Sequence, residues 1–175
     1  MTIPRILPAG LSLLGTFLLA AGVLAQPPDL SGTWKLVPER SQIARAGARA
    51  GGQGRGGGAA EAAELRISQE SGQITIRWTG SNPRGEREMV MVIIPDGQPH
   101  PNTNLAGATV TTTAEWKEGV LVFQQTQTAA RQGQSATWTT EWKYRLGEEG
   151  SLIVERTIRA AQGELTSRLV YIKGT

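Results

Sequence analysis

The chain has 175 residues, a formal net charge of +3 and no cysteine. That length allows a core or an enclosed cavity. The missing thiols exclude disulfides, thiol nucleophiles and thiolate metal sites, and so small a charge excess argues against nucleic acid or an anionic membrane surface as a partner.

Residues 1–25 have the form of an export signal, with Arg5 as the charged start, an apolar run from Leu11 to Leu24 and a small-residue cleavage site at Val23-Leu24-Ala25. Cleavage after Ala25 makes Gln26 the first mature residue and, by removing Arg5, lowers the charge from +3 to +2. The run is short for a membrane span of about 20 residues, and Pro27-Pro28 follows at once. No cysteine stands at the cleavage site to carry a lipid. The expectation is a periplasmic or secreted protein, monomeric, with no integral membrane segment after cleavage, whose residues 26–175 form one domain.

That domain opens on Asp29-Leu30-Ser31-Gly32-Thr33-Trp34-Lys35-Leu36, a turn leading into a strand with one large flat side chain. Residues 44–63 are rich in Gly, Ala and Arg and predict a flexible surface loop; in an exported protein, Arg45, Arg49 and Arg55 fit that loop better than an RNA-binding tract. A short helix is predicted over Ser41–Ala50. From Leu65 the apolar period becomes two, the strand signature. Leu65 and Ile67 share one face, Ser71-Gly72 turns the chain, and Ile74, Ile76 and Trp78 share the next. Glu88 to Ile94 reads as a strand covered on both faces. Pro95-Asp96-Gly97 breaks it, and a Pro- and Asn-rich loop is predicted through Pro99-His100-Pro101-Asn102 to Gly107.

Further on, Ala108, Val110, Thr112, Ala114 and Trp116 share a face; Glu118-Gly119, Gln132-Gly133, Glu149-Gly150 and Gln162-Gly163 mark turns between strands covering 120–128, 136–146, 152–159 and 165–172. Phrases repeat, as in Thr113-Ala-Glu-Trp-Lys117 and Thr139-Thr-Glu-Trp-Lys143. About nine short strands joined by tight turns, with no long helix, predict an all-β antiparallel meander. Closing it into an up-and-down β-barrel of about 8–10 strands removes its two exposed edges.

Ser31-Gly32-Thr33-Trp34-Lys35-Leu36-Val37 resembles the opening strand of calycins, the group that includes lipocalins and fatty-acid-binding proteins, and the resemblance extends through most of residues 29–173. The chain is also similar to small exported lipocalin-like bacterial proteins that begin with Leu-Ser-Gly-Thr-Trp-Lys-Leu. The resemblance implies a barrel that holds a small apolar or amphipathic molecule. It implies a structural role for Gly32 and Trp34 as the plug at one barrel end, with a late basic side chain, Arg168 or Lys173, packed over the indole. Two departures stand out. The Gly/Ala/Arg segment occupies the place of the fatty-acid-binding helical lid. Arg168-Leu-Val-Tyr171 puts Leu169 where that family's carboxylate-binding Arg belongs, so the usual fatty-acid grip is not expected.

Counting by twos from the turn glycines directs Ile74, Ile76 and Trp78, then Leu121, Phe123, Gln125 and Gln127, then Leu152, Val154, Arg156 and Ile158 inward. A charge on an otherwise apolar face costs several kcal/mol unless it has an anionic partner, water or a ligand. Arg156 is therefore the candidate anchor for an acidic head group, the competing reading being a rim position or a bulge that turns it outward. Gln125, Thr112, Thr140, Ser167 and Tyr171 add inward polar groups, and Trp78, Trp116, Trp138, Trp142 and Tyr144 are candidate stacking surfaces or simply core. Nothing suggests catalysis, a cofactor or a metal site: His100 is the only histidine, and it is read with Asp96 as loop chemistry. The rival to a ligand-binding barrel is a filled barrel acting through its surface, with the 44–63 and 95–107 loops as contact region.

Overall fold

The computed structural model describes residues 26–44, 62–82, 85–103, 109–131, 134–161 and 163–174. Ten antiparallel strands form one sheet: β1 (Gly32–Leu36), β2 (Glu64–Glu70), β3 (Gln73–Asn82), β4 (Gly85–Ile93), β5 (Asp96–Thr103), β6 (Thr109–Lys117), β7 (Val120–Arg131), β8 (Gln134–Leu146), β9 (Leu152–Ala160) and β10 (Gly163–Lys173). Short 3-10 turns occupy Pro38–Arg40 and Glu148–Gly150. The strand order is β4-β3-β2-β1-β10-β9-β8-β7-β6-β5. Because β1 pairs with both β2 and β10, the meander curls round until its edges, β4 and β5, meet as neighbours in a nearly closed barrel.

The period-two pattern does the sorting. Leu65, Ile67, Ile74, Ile76, Met89, Met91, Ile93, Leu121, Phe123, Val154 and Leu169 are buried on the inner face, while alternate residues reach solvent. Val90 is 36% exposed, so β4 is covered on one face and not on both as expected. The outer face of an antiparallel sheet tolerates water.

Trp34 sits at one end of this core, 1% exposed. Its indole Nε1 donates to the Leu30 carbonyl at 2.9 Å, and Lys173 Nζ lies 5.5 Å from the ring centroid. Register chooses between the two basic candidates: Trp34 stands opposite Lys173, whereas Arg168 pairs through its backbone with Gln42. Gly32 has φ +142°, and a Cβ there would meet Lys173 Cε at 3.2 Å, so a side chain would be strained and would crowd the lysine over the indole. β1 has only five residues, and the chain continues alongside β10 after it: Val37 donates to the Val170 carbonyl, and Gln42 and Arg168 exchange backbone bonds at 2.6 and 2.8 Å. The helix expected over 41–50 is therefore not formed at Ser41–Ala44, where β10 takes the backbone bonds a helix would use; residues 45–50 lie outside the described set. So do 45–61, most of the expected 44–63 loop, and 104–108, the end of the expected 95–107 loop.

The first part of that second loop is a strand, and it accounts for the tenth. Pro99 and Pro101 lack an N–H, so they tolerate a strand only where the N side faces an unpaired edge. β5 is such an edge. Pro99, His100, Pro101 and Asn102 stand opposite Thr113, Thr112, Thr111 and Val110 of β6. With prolines on its free side, β5 cannot complete a ladder to β4, and a side chain closes the seam. Asn102 Oδ1 accepts from the Val92 N–H at 3.2 Å, while its Nδ2 donates to the Val92 carbonyl at 2.7 Å and to Thr112 Oγ1 at 3.1 Å. The amide does for one residue what a neighbouring backbone would do. Asn102→Ala is expected to lower stability by about 2–3 kcal/mol, since it removes three bonds and strands backbone groups. Urea denaturation checks the magnitude. Hydrogen exchange should show faster exchange at the Val92 amide with β2 unchanged.

Candidate functional site

The inner wall is not uniformly apolar. Buried polar or charged residues among those described are Asn102, Thr112, Gln125, Thr140, Ser151, Arg156 and Ser167. Arg156 is the one charged member, 6% exposed on β9, as the parity count from Gly150 requires. Its cross-strand neighbours are Trp142 on β8 and Ser167 on β10. Trp142 stacks on Phe123 of β7, centroids 5.0 Å apart and planes 15° apart, and Tyr144 tilts against the same phenyl at 5.4 Å. The guanidinium is thus held inside the barrel between an indole and a hydroxyl-bearing strand. Ser167 Oγ accepts from the Ala44 N–H at 3.1 Å, tying the segment after β1 to this wall.

Among the described residues, Trp78 Nε1, Trp142 Nε1 and Tyr144 Oη are buried donors with no hydrogen-bond partner. Burying such a group without a bond costs roughly 1–3 kcal/mol each. Complete burial pushes the Tyr144 phenol well above its ordinary value of 10.0, the Arg156 charge pulling only weakly the other way. The phenol therefore stays a neutral donor. A raised pKa means that its contribution to stability is intact below pH 10 and is lost as pH rises beyond it. Phenolate absorbance from Tyr144 is expected only with alkaline unfolding, and in Tyr144→Phe that component should vanish while stability at neutral pH is unchanged or slightly raised. Absorbance titration and circular dichroism on both proteins check this.

The next row along the wall is neutral. Thr112, Gln125 and Thr140 stand opposite one another across β6, β7 and β8, at 2%, 3% and 7% exposure. Gln125 Nε2 donates to Thr112 Oγ1 at 2.9 Å and lies 3.8 Å from Met91 Sδ.

The remaining candidates fall elsewhere. Trp138, half-buried, pairs across strands with Gln127. Trp78 is buried and borders a pocket of about 450 Å³ with Arg66, Arg77, Glu86 and Glu88 at one end of β2–β4. Trp116 is half-buried and lines a pocket of about 520 Å³ with Ile74, Ile94 and Pro95 at the other end. Tyr171 is fully buried and donates to the Ala62 carbonyl at 3.2 Å. The structure thus gathers Arg156, Trp142 and Tyr144, sets Gln125 one row away, and separates Trp116 and Tyr171 from them. His100 Nε2 lies 3.0 Å from each Asp96 carboxylate oxygen, half-buried on β5 and not in a loop. Among the described residues no group of three or more His, Asp or Glu is placed to hold a metal, and no helix is long and apolar enough to cross a membrane.

Asn102 and Met91 were not anticipated in this wall. The alternation of His100 and Asn102 was the available signal for Asn102, hidden by the interleaved Pro99 and Pro101.

No protein-family model matches the sequence, and no curated protein matches it. Among solved structures, zebrafish ileal bile acid-binding protein complexed with cholic acid superposes with a TM-score of 0.53 at 14% identity, covering 82% of this chain and 98% of that one. A luciferase domain from the dinoflagellate Lingulodinium polyedrum reaches a TM-score of 0.42 at 14% identity, covering 86% of this chain and 45% of that one. The first likeness shows that the two chains share a fold.

Proposed function

We propose that this chain is an exported, non-enzymatic binding protein that holds a small amphipathic acid inside its barrel, head group at Arg156. The observation that carries the reading is the pair of buried, unbonded donors that lie with Arg156 on the inner wall, Trp142 Nε1 and Tyr144 Oη. With the guanidinium beside Trp142, they make an interior rich in donors, which is what an oxyanion or another acceptor group would satisfy. Apolar walls with a few convergent polar groups are the usual form of a small-molecule site. The shared barrel supports the reading, since the zebrafish protein was crystallised with a small amphipathic acid.

Tryptophan fluorescence tests it. A long-chain carboxylate should give a saturable change that the alcohol of equal chain length does not match. No saturable response to any amphiphile would count against the reading. Export rests on residues 1–25, and an N-terminus at Gln26 in the protein recovered from its natural host is the corresponding check.

A further inference from the structure

The fold takes hold of the chain only after Pro28. Leu30 is fully buried, and its N–H donates to Gln69 Oε1 at 3.3 Å. Gln69 N–H in turn donates to Ser31 Oγ at 3.1 Å, and Asp29 Oδ1 accepts from the Ser31 N–H at 2.9 Å. Gln26 and Pro27 lie ahead of these anchors and are exposed. They border the pocket of about 520 Å³ at the barrel end, on a rim that includes Glu70, Pro95, Asp96 and Trp116. Pro27 and Pro28 carry no N–H and fix their own φ, so this lead-in is stiff and has no N–H of its own to pair into a sheet. Cleavage after Ala25 therefore leaves a free α-amine on a glutamine whose side chain the core does not hold.

From this we infer that Gln26 is a modification site, where the mature chain closes on itself as an N-terminal pyroglutamate. The inference rests on cleavage after Ala25, as proposed above. The Gln26 α-amine nitrogen attacks the side-chain amide carbon Cδ, a new N–Cδ bond forms and the Cδ–Nε2 bond breaks. Nε2 leaves as ammonia, taking up the proton that the amine gives up, and nothing is oxidised or reduced. The ring forms within one residue, so no other part of the fold has to move. The attacking species is the neutral amine, and an ordinary α-amine titrates at about pH 8, which leaves a usable fraction at neutral pH. A strong carboxylate partner would hold it protonated, and the rim offers none that is dedicated to it. Asp96 already accepts from the Gln98 N–H at 2.8 Å and lies 3.0 Å from His100 Nε2. Glu70 is exposed, where an ion pair is worth little. The other route by which a glutamine loses ammonia needs attack by the following backbone nitrogen, and Pro27 has no N–H with which to do it. The product is a flat neutral lactam beside Pro95 and the half-buried Trp116. It removes one positive charge from the rim and the free amine that exopeptidases require.

The test is the intact mass of the full mature chain recovered from its natural host, with the change assigned on its N-terminal peptide. The expected chain runs from Gln26, is lighter by one ammonia and resists stepwise N-terminal degradation until a pyroglutamyl peptidase unblocks it. Gln26→Asn keeps both the amine and an amide but could close only a strained ring one atom smaller, and should keep its full mass. A wild-type chain that starts at Gln26 with its full mass overturns this inference and leaves the cleavage reading standing. A chain that starts at another residue overturns both. An equal loss of ammonia from the N-terminal peptide of Gln26→Asn also overturns the inference, because it places the loss outside the glutamine ring closure.

Discussion

Replacing Arg156 with Leu should weaken the binding of an amphipathic acid by the folded protein. Affinity for an amphipathic acid is expected to fall by about 2–3 kcal/mol, roughly 30- to 150-fold, the value of a charge-assisted bond in a desolvated site. Stability is read separately, because the substitution also removes the interactions that the buried guanidinium makes. Arg156 is buried between Trp142 and Ser167 on a wall that also holds Val154 and Ile158, so a leucine finds apolar neighbours. Arg156→Lys keeps the charge but not the planar fork and should recover only part of the affinity. Fluorescence titration and urea denaturation on the same preparations give both numbers. A parallel loss of stability and affinity would mark the residue as structural.

Trp34→Ala should do the reverse and leave little folded protein to assay. The indole is fully buried, bonds the Leu30 carbonyl and lies under Lys173. Large aromatic truncations in cores cost about 3–5 kcal/mol, much of the 5–15 kcal/mol that typical proteins possess. The urea midpoint should fall with its slope unchanged, and Trp34→Phe should restore part of the loss by refilling the space without the N–H bond. If Trp34→Ala cost under about 1 kcal/mol, the plug at this end would not be holding the barrel.

The direction each inner side chain takes was legible in the sequence; its level along the barrel was not. Turn glycines set the parity of β3, β7 and β9, and with no bulge between Gly150 and Arg156 the alternation carries the arginine inward. Alternation says nothing about how far one strand is staggered against the next. Trp116, Tyr171 and Trp142 therefore looked equivalent, although their cross-strand neighbours, Leu121, Leu36 and Arg156, place them in different surroundings. β5 was missed for another reason. Its prolines oppose strand formation everywhere except at a free edge, and an edge is a property of the assembled sheet. Asn102, the residue that closes the seam, was hidden by the same chemistry that creates it. Lys173 over Trp34 shows the opposite case, where one register pair settled what spacing left open.

The claim that the barrel interior holds an amphipathic acid is tested most directly by native mass spectrometry of the protein purified from its natural host. The account predicts a fraction of the mature chain carrying a small, non-covalent mass that leaves as an oxygen-bearing anion and is much reduced in Arg156→Leu. A chain recovered only at its bare mass, with no acid taken up when long-chain carboxylates are added in excess, would contradict it.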